Sequence, residues 1–442
     1  MRGRAARIGR AAWLVGYLAV IIVPLVLVWV VGRDPGDDLL AISATDTGLL
    51  AFSLLVVALV LMARVPSLVG SFGIETILRM HRVVALCAVA LVAGHVVLIV
   101  FHDPRGLSIF DLRDTTAAAR AATISTLALA AVVGFALRRK RRQPRYEGWR
   151  MLHIALAATV FLGAWLHIWW LDQLSANVLT AIWFVLMGLV VLAVAARRWV
   201  YLPIRAHRRS YIVDQVIPVS GDAVTLAMKA HGHAGVRFKA GQFAWLKIGS
   251  SSFVFEEHPF TIASTAEAPH RKEFTIKALG DFSELLRGLR PGRRVFMDGP
   301  YGRFTIEGLD SSDGFVFIAG GVGVTPMVSM LRTLNHRRDP RPHLLLLGAR
   351  SLDDMMLRSE VDRLKEGLDL TVTPVLESPP EDWDGEEGRI DADLLDRWLP
   401  RHSKQHDYFL CGPPPMVIAV GKQLRDRGIP LNRIHTERFE VV

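Results

Sequence analysis

Six long apolar stretches constrain the fold of this chain more than any other feature. They lie at 11–31, 47–63, 80–101, 117–137, 149–171 and 177–196. About 20 apolar residues in a helix cross the hydrocarbon core of a bilayer, and a helix satisfies its own backbone polar groups there. The pattern therefore predicts a membrane α-helical bundle of six spans, contained in a transmembrane domain at 1–204.

The basic residues that flank these stretches indicate how they cross the membrane. The formal net charge is +10, and much of it lies before the first span, at 138–145 and at 197–209. Cytoplasmic loops are enriched in Lys and Arg, so both termini are predicted to be cytoplasmic and the mostly acidic loop 33–46 to lie outside. We expect a multi-pass protein of the cell (plasma) membrane whose basic residues contact membrane lipid and bind no nucleic acid.

Two of the spans carry histidines with identical spacing. His81 and His95 lie in the third span, His153 and His167 in the fifth, with thirteen residues between the members of each pair. Both spans run outward, and fourteen helical residues rise roughly 21 Å, so each span offers one imidazole near either face. This arrangement suits two haems stacked across the bilayer, each with its iron between two histidines. Interhelical hydrogen bonding, a metal transporter and a proton channel are the alternatives.

From about residue 205 the pattern is that of a soluble α/β protein. Apolar runs bounded by turn residues predict strands at 238–248 and 273–279. From 314 onward, strands alternate with helices, as is typical of a parallel sheet. These strands are predicted at 315–319, 343–348, 370–376, 408–412 and 433–439, and the helices at 326–336, 353–366 and 413–427. The two cysteines, Cys87 and Cys411, lie in different halves and predict no disulfide framework.

A glycine-rich turn of the kind that cradles phosphate follows the strand at 315–319. Its glycines, which allow close backbone approach, are Gly320, Gly321 and Gly323. Thr325 is predicted to cap a helix whose first residue is Pro326, and the amino end of a helix favours an anion. Arg350 follows the next strand; it is placed to reach an adenosine ribose or its 2′-phosphate, or else is a surface residue.

Several motifs resemble those of the ferredoxin–NADP reductase family. "HPFTIAS", at 258–264, resembles its flavin motif, and "KALGDFS", at 277–283, the segment that holds the flavin pyrophosphate. The resemblance implies an FAD-binding antiparallel β-barrel at 205–305 and an α/β Rossmann-like NAD(P)H-binding domain at 306–442. The residues that it implies for FAD binding are His258, Pro259, Phe260, Thr261, Ile262, Ala263, Ser264, Lys277, Gly280, Asp281, Phe282 and Ser283.

The remaining motifs resemble the dinucleotide-binding parts of the same family. "AGGVGVTP" and "CGPPPM" resemble its two nicotinamide-dinucleotide segments, which implies further binding roles for Cys411, Gly412 and Pro413. "ERF", at 437–439, resembles the ending whose aromatic ring stacks on the flavin until nicotinamide displaces it. Phe439 and Thr261, which by the match lies near the isoalloxazine, are therefore the implied catalytic residues.

With the six spans and the paired histidines, the whole chain resembles the NADPH oxidase and ferric reductase superfamily, in its compact bacterial form. The resemblance implies an NAD(P)H-dependent flavohaem oxidoreductase. Electrons would pass from NADPH or NADH through FAD and two b-type haems to an outer acceptor. Dioxygen, giving superoxide, is the acceptor predicted first; a ferric chelate or other metal complex, and a quinone or partner protein, are the alternatives. The predicted iron ligands are His81, His95, His153 and His167.

Overall fold

The chain forms two compact units, Met1–Leu202 and Pro203–Val442. The computed structural model describes residues 2–31, 38–103, 105–142, 146–171, 177–219, 222–277 and 280–438. The first unit consists of helices, and the second contains two six-stranded β-sheets.

The first unit contains seven α-helices within the described residues. They are α1 (Arg2–Val31), α2 (Leu39–Leu61), α3 (Pro66–Phe72), α4 (Ile74–His102), α5 (Ala117–Arg142), α6 (Tyr146–Trp170) and α7 (Val178–Ala196). A 3₁₀ turn, Gly106–Phe110, lies between α4 and α5, and a π-helical turn, Arg197–Tyr201, links α7 to α8 (Leu202–Arg208). Within the described ranges, six helices are long and apolar enough to cross a membrane, as predicted. They are α1, α2, α4, α5, α6 and the helix Val178–Arg208, which comprises α7, the π-helical turn and α8.

The second span begins earlier than its hydropathy predicts. We expected it at 47–63, after an outer loop at 33–46, but α2 already begins at Leu39. Asp38 caps that end, since its carboxylate accepts a hydrogen bond from a backbone N–H of the first turn (2.8 Å). The predicted loop was therefore wrong over its second half, which is helical, and 32–37 lie outside the described residues.

Helices pack mainly in antiparallel pairs, α4 on α2 and α6 on α5. A small residue allows close approach in the second pair: a Cβ at Gly163 would lie 2.9 Å from Ala121 O. Ser125 Oγ also donates to Val160 O across this interface (2.8 Å). Rings from three helices form an aromatic core, with centroids 5.6 Å apart: Phe52, Phe161 and Phe184.

One sheet of the second unit is antiparallel. Its strands are β1 (Tyr211–Pro218), β2 (Ala223–Ala230), β3 (Phe243–Ile248), β4 (His258–Thr261), β5 (Arg271–Lys277) and β6 (Arg294–Tyr301), in the order β4-β3-β6-β1-β2-β5. The Ala263 N–H donates to Glu273 O (2.7 Å), which joins the chain after β4 to β5 and closes the sheet. Buried Leu226 and Phe274 help to fill its interior, and α9 (Asp281–Arg287) follows β5. This is the predicted antiparallel barrel.

Parallel strands form the other sheet. They are β7 (Phe315–Gly320), β8 (His343–Ala349), β9 (Leu370–Leu376), β10 (Glu386–Glu387), β11 (Asp407–Gly412) and β12 (Ile434–Arg438), in the order β10-β9-β8-β7-β11-β12. The helices of this part are α10 (Val324–Arg337), α11 (Arg358–Leu364), α12 (Ala392–Trp398) and α13 (Pro414–Asp426). Phe315 and Phe317 belong to one apolar cluster, Val316 and Ile318 to another. Both faces of the sheet are therefore covered, as in the predicted Rossmann-like fold.

Two elements of this unit are shorter than predicted. The strand expected at 238–248 is extended only in its second half, as β3. The helix expected at 353–366 begins late, as α11, because Met355 and Met356 turn into the core. Leu357, just before α11, has a positive φ of 59°, which a helix interior does not allow.

Candidate functional site

The four predicted membrane histidines face one another in two pairs, with one ring from α4 and one from α6 in each. The ring centroids of His95 and His167 are 6.4 Å apart, and the ring planes make an angle of 67°. The centroids of His81 and His153 are 6.5 Å apart, at 71°. The equal spacing along the two helices thus brings the histidines together at two depths.

Helix α2 holds both histidines of α4. His81 Nδ1 donates to Ala58 O (3.0 Å), and His95 Nδ1 donates to Ala44 O (2.7 Å). Ala44 and Ala58 are fourteen residues apart, as the two histidines are, so two antiparallel helices repeat one contact at two depths. The absence of a side chain at Gly48 leaves space for the His95 ring, because a Cβ there would lie 3.0 Å from Nδ1 and Cε1 of that ring.

Helix α5 holds one histidine of α6 in the same way. His167 Nδ1 donates to Ala118 O (3.0 Å). The position fourteen residues further along α5 is Val132 and not a second alanine. His153 is supported differently, by stacking on Trp149 one turn away (centroids 5.3 Å apart, 22°).

This geometry suits a metal ion between the rings of each pair. With metal–nitrogen bonds of about 2.0–2.1 Å and ring nitrogens about 1.1 Å from their centroids, the centroids should lie about 6.3 Å apart. The observed separations are 6.4 and 6.5 Å. A carbonyl oxygen only accepts, so in His81, His95 and His167 the proton lies on Nδ1, and Nε2 keeps its lone pair for a metal. Two imidazoles are a donor set that fits the iron of a haem.

Three aromatic rings meet at the predicted flavin motif. His258 of β4 stacks on Phe282 of α9, with centroids 4.2 Å apart at 29°. Phe260 lies nearly parallel to Phe282, at 6.2 Å and 12°. The two predicted flavin segments are therefore adjacent. Pro259, between the first two rings, is exposed. The four residues that follow Phe260 are buried: Thr261, Ile262, Ala263 and Ser264.

Lys277, predicted to hold the flavin pyrophosphate, is paired with a carboxylate. Its Nζ donates to Asp354 Oδ1 (3.3 Å), and Asp354 Oδ2 accepts from Ser351 Oγ (3.2 Å). The hydrogen bond from Lys277 holds the pKa of the Asp354 carboxyl below its usual range. Ser283 Oγ accepts from the Gly280 N–H (3.0 Å) and so caps α9.

The predicted phosphate turn packs against the segment that follows β11. A Cβ at Gly323 would lie 2.2 Å from Cys411 O, and one at Gly320 would lie 2.8 Å from Met416 Sδ. A Cβ at Gly412 would in turn lie 3.1 Å from Gly320 N. Only glycine permits such close approach of backbones. The two predicted dinucleotide segments thus lie side by side at the carboxyl ends of β7 and β11, where open parallel sheets bind ligands.

The helix after this turn begins earlier than predicted. α10 starts at Val324, with Gly323 as its N-cap. The predicted cap was therefore wrong: Thr325 lies inside the helix, and Pro326 is its third residue. Thr325 is buried, and its hydroxyl donates to Val322 O (2.9 Å). A 3₁₀ turn before the helix takes up the residues that the prediction left to an open loop.

Two further predicted residues directly follow strands in the sequence. Arg350 is exposed and directly follows β8, and its carbonyl accepts from the Ser378 N–H (2.8 Å). Phe439 lies outside the described residues, and β12, which leads to it, ends at Arg438. The last two positions of the strand predicted at 273–279 also lie outside them.

Sequence reasoning missed the residues that support these sites. Ala44 and Ala58 carry no functional group, and their only signal is a spacing equal to that of the histidines. Asp354 had no local signal, because its partner is distant in sequence. Arg332 of α10, which donates to Ala263 O (3.0 Å), was missed for the same reason.

Family models match all three parts of the chain. Residues 47–164 match the ferric reductase like transmembrane component. Residues 211–305 match an FAD-binding domain, and residues 317–422 an oxidoreductase NAD-binding domain. The order of these matches is the one that the sequence motifs predict.

Relatives share part of the chain. The reductase component of propane 2-monooxygenase from Rhodococcus jostii is 34% identical over 240 residues, which cover 51% of this chain and 62% of that protein. The corresponding component from Mycolicibacterium goodii is 31% identical over 250 residues, covering 54% and 69%. The crystal structure of a cytochrome P450 reductase from Amycolatopsis matches with 26% identity and a TM-score of 0.46, covering 52% of this chain and 69% of that one.

The fold and its matches define a multi-pass membrane oxidoreductase with FAD-binding and NAD-binding domains. The transmembrane part narrows this class further. The chain belongs to the superfamily of ferric reductases and NADPH oxidases, in which a ferric reductase-like transmembrane component is fused to a ferredoxin–NADP reductase-like half. The resemblance and the fold class predicted from the sequence are confirmed.

Proposed function

We propose that this chain moves electrons across the membrane, from NADPH or NADH through FAD and two b-type haems to an acceptor on the outer side. The observation that carries the proposal is the two imidazole pairs, whose centroids are 6.4 and 6.5 Å apart. Interhelical hydrogen bonding alone does not require rings that face each other at a metal-binding distance, twice over. The FAD-binding and NAD-binding domains supply the donor side.

Each bound group would supply one kind of chemistry. FAD takes a hydride from nicotinamide and releases electrons singly, and haem iron carries one electron at a time. Residues 258–261 would shape the flavin pocket, and Lys277 would lie near the pyrophosphate. The dinucleotide phosphates would rest on the turn at 320–323. Arg350 would meet the 2′-phosphate, and Phe439 would stack on the flavin.

The protein itself contributes orientation. The carbonyls of Ala44 and Ala58 accept from Nδ1 of His95 and His81, so that the proton of each ring lies on Nδ1 and Nε2 is the nitrogen that would bind a metal. His81, His95, His153 and His167 would hold two haems, each of which would supply a carrier of single electrons.

We propose dioxygen as this acceptor, giving superoxide. A small molecule that accepts a single electron suits a donor that carries one electron at a time. A ferric chelate is the second candidate, which the match of 47–164 to the ferric reductase like transmembrane component favours.

The proposal also sets the orientation of the chain. Both termini and the dehydrogenase half would lie in the cytoplasm, which the basic segments at 138–145 and 197–209 support. The plasma membrane would then assist outward electron movement, by about 2.3 kcal/mol per 100 mV if the full potential is crossed.

The haem content of the purified protein tests the proposed electron-transfer path through the two histidine pairs. We expect two b-type haems per chain. His95→Ala should remove one and leave the flavin half able to oxidise NADPH with a soluble dye, and His81→Ala should remove the other. His102→Ala is a matched control on the same helix, because that ring is paired with Asp38 (3.5 Å) and not with a histidine. Saturation at one haem or none in the parent would contradict the arrangement.

Reduction assays test the acceptor. The protein with NADPH should reduce cytochrome c in a way that superoxide dismutase suppresses. Reduction of ferric citrate that is insensitive to the dismutase would favour the second candidate. His95→Ala should abolish either activity while dye reduction continues; an acceptor that is still reduced by this variant would not use the membrane histidines.

A further inference from the structure

Helix α10 holds the backbone of a loop that begins at the end of the predicted flavin motif. This flavin loop comprises residues 263–266, shortly after β4. Ser329 Oγ donates to Ser264 O (2.9 Å), and Thr333 Oγ1 accepts from the Ala266 N–H (3.0 Å). Both hydroxyl side chains are fully buried. One helix therefore begins at the predicted dinucleotide turn and binds the flavin loop along its length.

Arg332, on the same helix, makes the most extensive of these contacts. One terminal nitrogen donates to Ala263 O (3.0 Å) and to Glu273 Oε2 of β5 (2.7 Å). Its Nε donates to Glu360 Oε1 of α11 (2.8 Å). The side chain is only 19% exposed. A single rigid guanidinium thus joins the flavin loop, the barrel and a helix of the parallel sheet.

Ser329 also contacts the segment just before β3. The Gly241 N–H donates to Ser329 Oγ (3.3 Å), and a Cβ at Gly241 would lie 2.3 Å from Met330 Cε. β3 pairs Phe243 with Thr261, the predicted catalytic residue of the flavin motif. Helix α10 therefore fixes the chain on both sides of Thr261, once before β3 and once after β4.

We propose that Arg332 and Ser329 are positioning residues for hydride transfer, which fix the flavin site relative to the nicotinamide by fastening the flavin loop to the dinucleotide-binding helix. This inference rests on the proposed function, since it takes flavin and dinucleotide to bind at the predicted segments. A displacement of about 1 Å between reacting groups lowers a rate by up to about a hundredfold. Loss of these contacts should slow the chemical step more than it weakens dinucleotide binding, because the turn at 320–323 stays intact.

The test compares Arg332→Met with Arg337→Met in the full-length, FAD-loaded protein. Arg337 lies on the same helix and also holds two carboxylates, those of Glu267 (2.7 Å) and Glu307 (2.6 Å), but it is 40% exposed. Flavin reduction is followed by absorbance after rapid mixing with saturating NADPH, and NADP⁺ affinity by titration. In Arg332→Met we expect reduction slowed on the order of tenfold or more, with NADP⁺ affinity changed less than about threefold. Arg337→Met should stay within about twofold of the parent for both.

Two further variants keep the test informative if Arg332→Met fails to fold. Ser329→Ala removes one hydroxyl and should slow flavin reduction in the same direction. Arg332→Lys should recover part of the rate, because it keeps a charged donor but not the planar fork. Deuterated NADPH should show a larger isotope effect in the slowed variants, which a merely destabilised fold would not produce.

Several results would overturn the inference. They are equal reduction rates in the parent and Arg332→Met, an equal slowing in Arg332→Met and Arg337→Met, or an unchanged rate in Ser329→Ala. A parent protein whose flavin is reduced by neither NADPH nor NADH would instead overturn the proposed function itself.

Discussion

The contact between Gly48 and His95 gives the sharpest test of the paired-histidine site. A Cβ at Gly48 would lie 3.0 Å from both Nδ1 and Cε1 of the ring. Non-bonded carbon atoms prefer about 3.5–4.0 Å, so in Gly48→Ala the ring should move by about 0.5–1 Å. Distances from a metal to its ligands hold within about 0.2 Å. The displaced imidazole should therefore no longer bind a metal at its site.

The His95 ring cannot move away from Gly48 without losing another contact. Its Nδ1 is hydrogen-bonded to Ala44 O (2.7 Å). A movement of the ring away from Gly48 therefore breaks this hydrogen bond or separates α2 from α4. Loss of such a supporting partner weakens metal binding by about 10–100-fold. Overpacking adds about 1–3 kcal/mol. Together these effects predict at least on the order of a hundredfold weaker haem retention at the His95–His167 pair.

Gly94→Ala is the matched control, because the same change beside His95 on α4 meets nothing within 4 Å. The measurement is the ratio of haem to FAD in purified full-length protein, with the spectrum of the reduced form. We expect one haem in Gly48→Ala and two in Gly94→Ala. Full haem content and an unchanged spectrum in Gly48→Ala would refute the placement of the ring. Equal loss in both variants would point to a general effect on the helices.

Three further predictions concern the dehydrogenase half. Burial lowers the pKa of Lys272 to about 7, so the unfolded chain binds more protons between about pH 7 and 10, and the free energy of unfolding should rise with pH there. Lys272→Met should abolish this rise, worth on the order of 3 kcal/mol, in melting curves at several pH values; a persistent rise would assign it to other groups. Arg350→Ala should lower kcat/KM for NADPH much more than for NADH, whereas parallel losses would exclude a 2′-phosphate contact. In FAD titrations, Lys277→Glu should weaken binding severalfold, and Asp354→Asn should strengthen it by releasing Lys277; opposite signs would count against the pyrophosphate role.

Hydropathy predicted six membrane helices but began α2 too late, at a point where polar side chains find partners within the helices. In α2, Thr47 Oγ1 donates to Ser43 O (2.7 Å), and Asp46 accepts from Trp29 Nε1 of α1 (3.3 Å). A hydropathy scale treats Asp46 as a hydrated side chain, so the predicted span began after it, at position 47, whereas the helix begins at Leu39. The error is thus one of side-chain partners, which a single stretch of sequence does not contain.

The histidine pairs could be predicted because a helix converts sequence separation into a fixed rise and rotation. No such rule links segments that meet only in the folded chain. Lys277 and Asp354 are 77 residues apart, and Arg332 is 69 residues from Ala263. Their contacts depend on how the barrel packs on the parallel sheet. Motif resemblance therefore named the residues expected to touch the cofactors but not those that hold them in place.

The unequal support of the histidines makes the two sites chemically different. Both rings of the His95–His167 pair donate to carbonyls, whereas His153 stacks on Trp149. A ring that donates from Nδ1 is a more basic ligand, and a more basic ligand stabilises oxidised iron. An iron between His81 and His153 should therefore have the higher reduction potential. In the proposed orientation, His81 and His153 would thus hold the group that retains an electron more strongly at the cytoplasmic side of the bilayer.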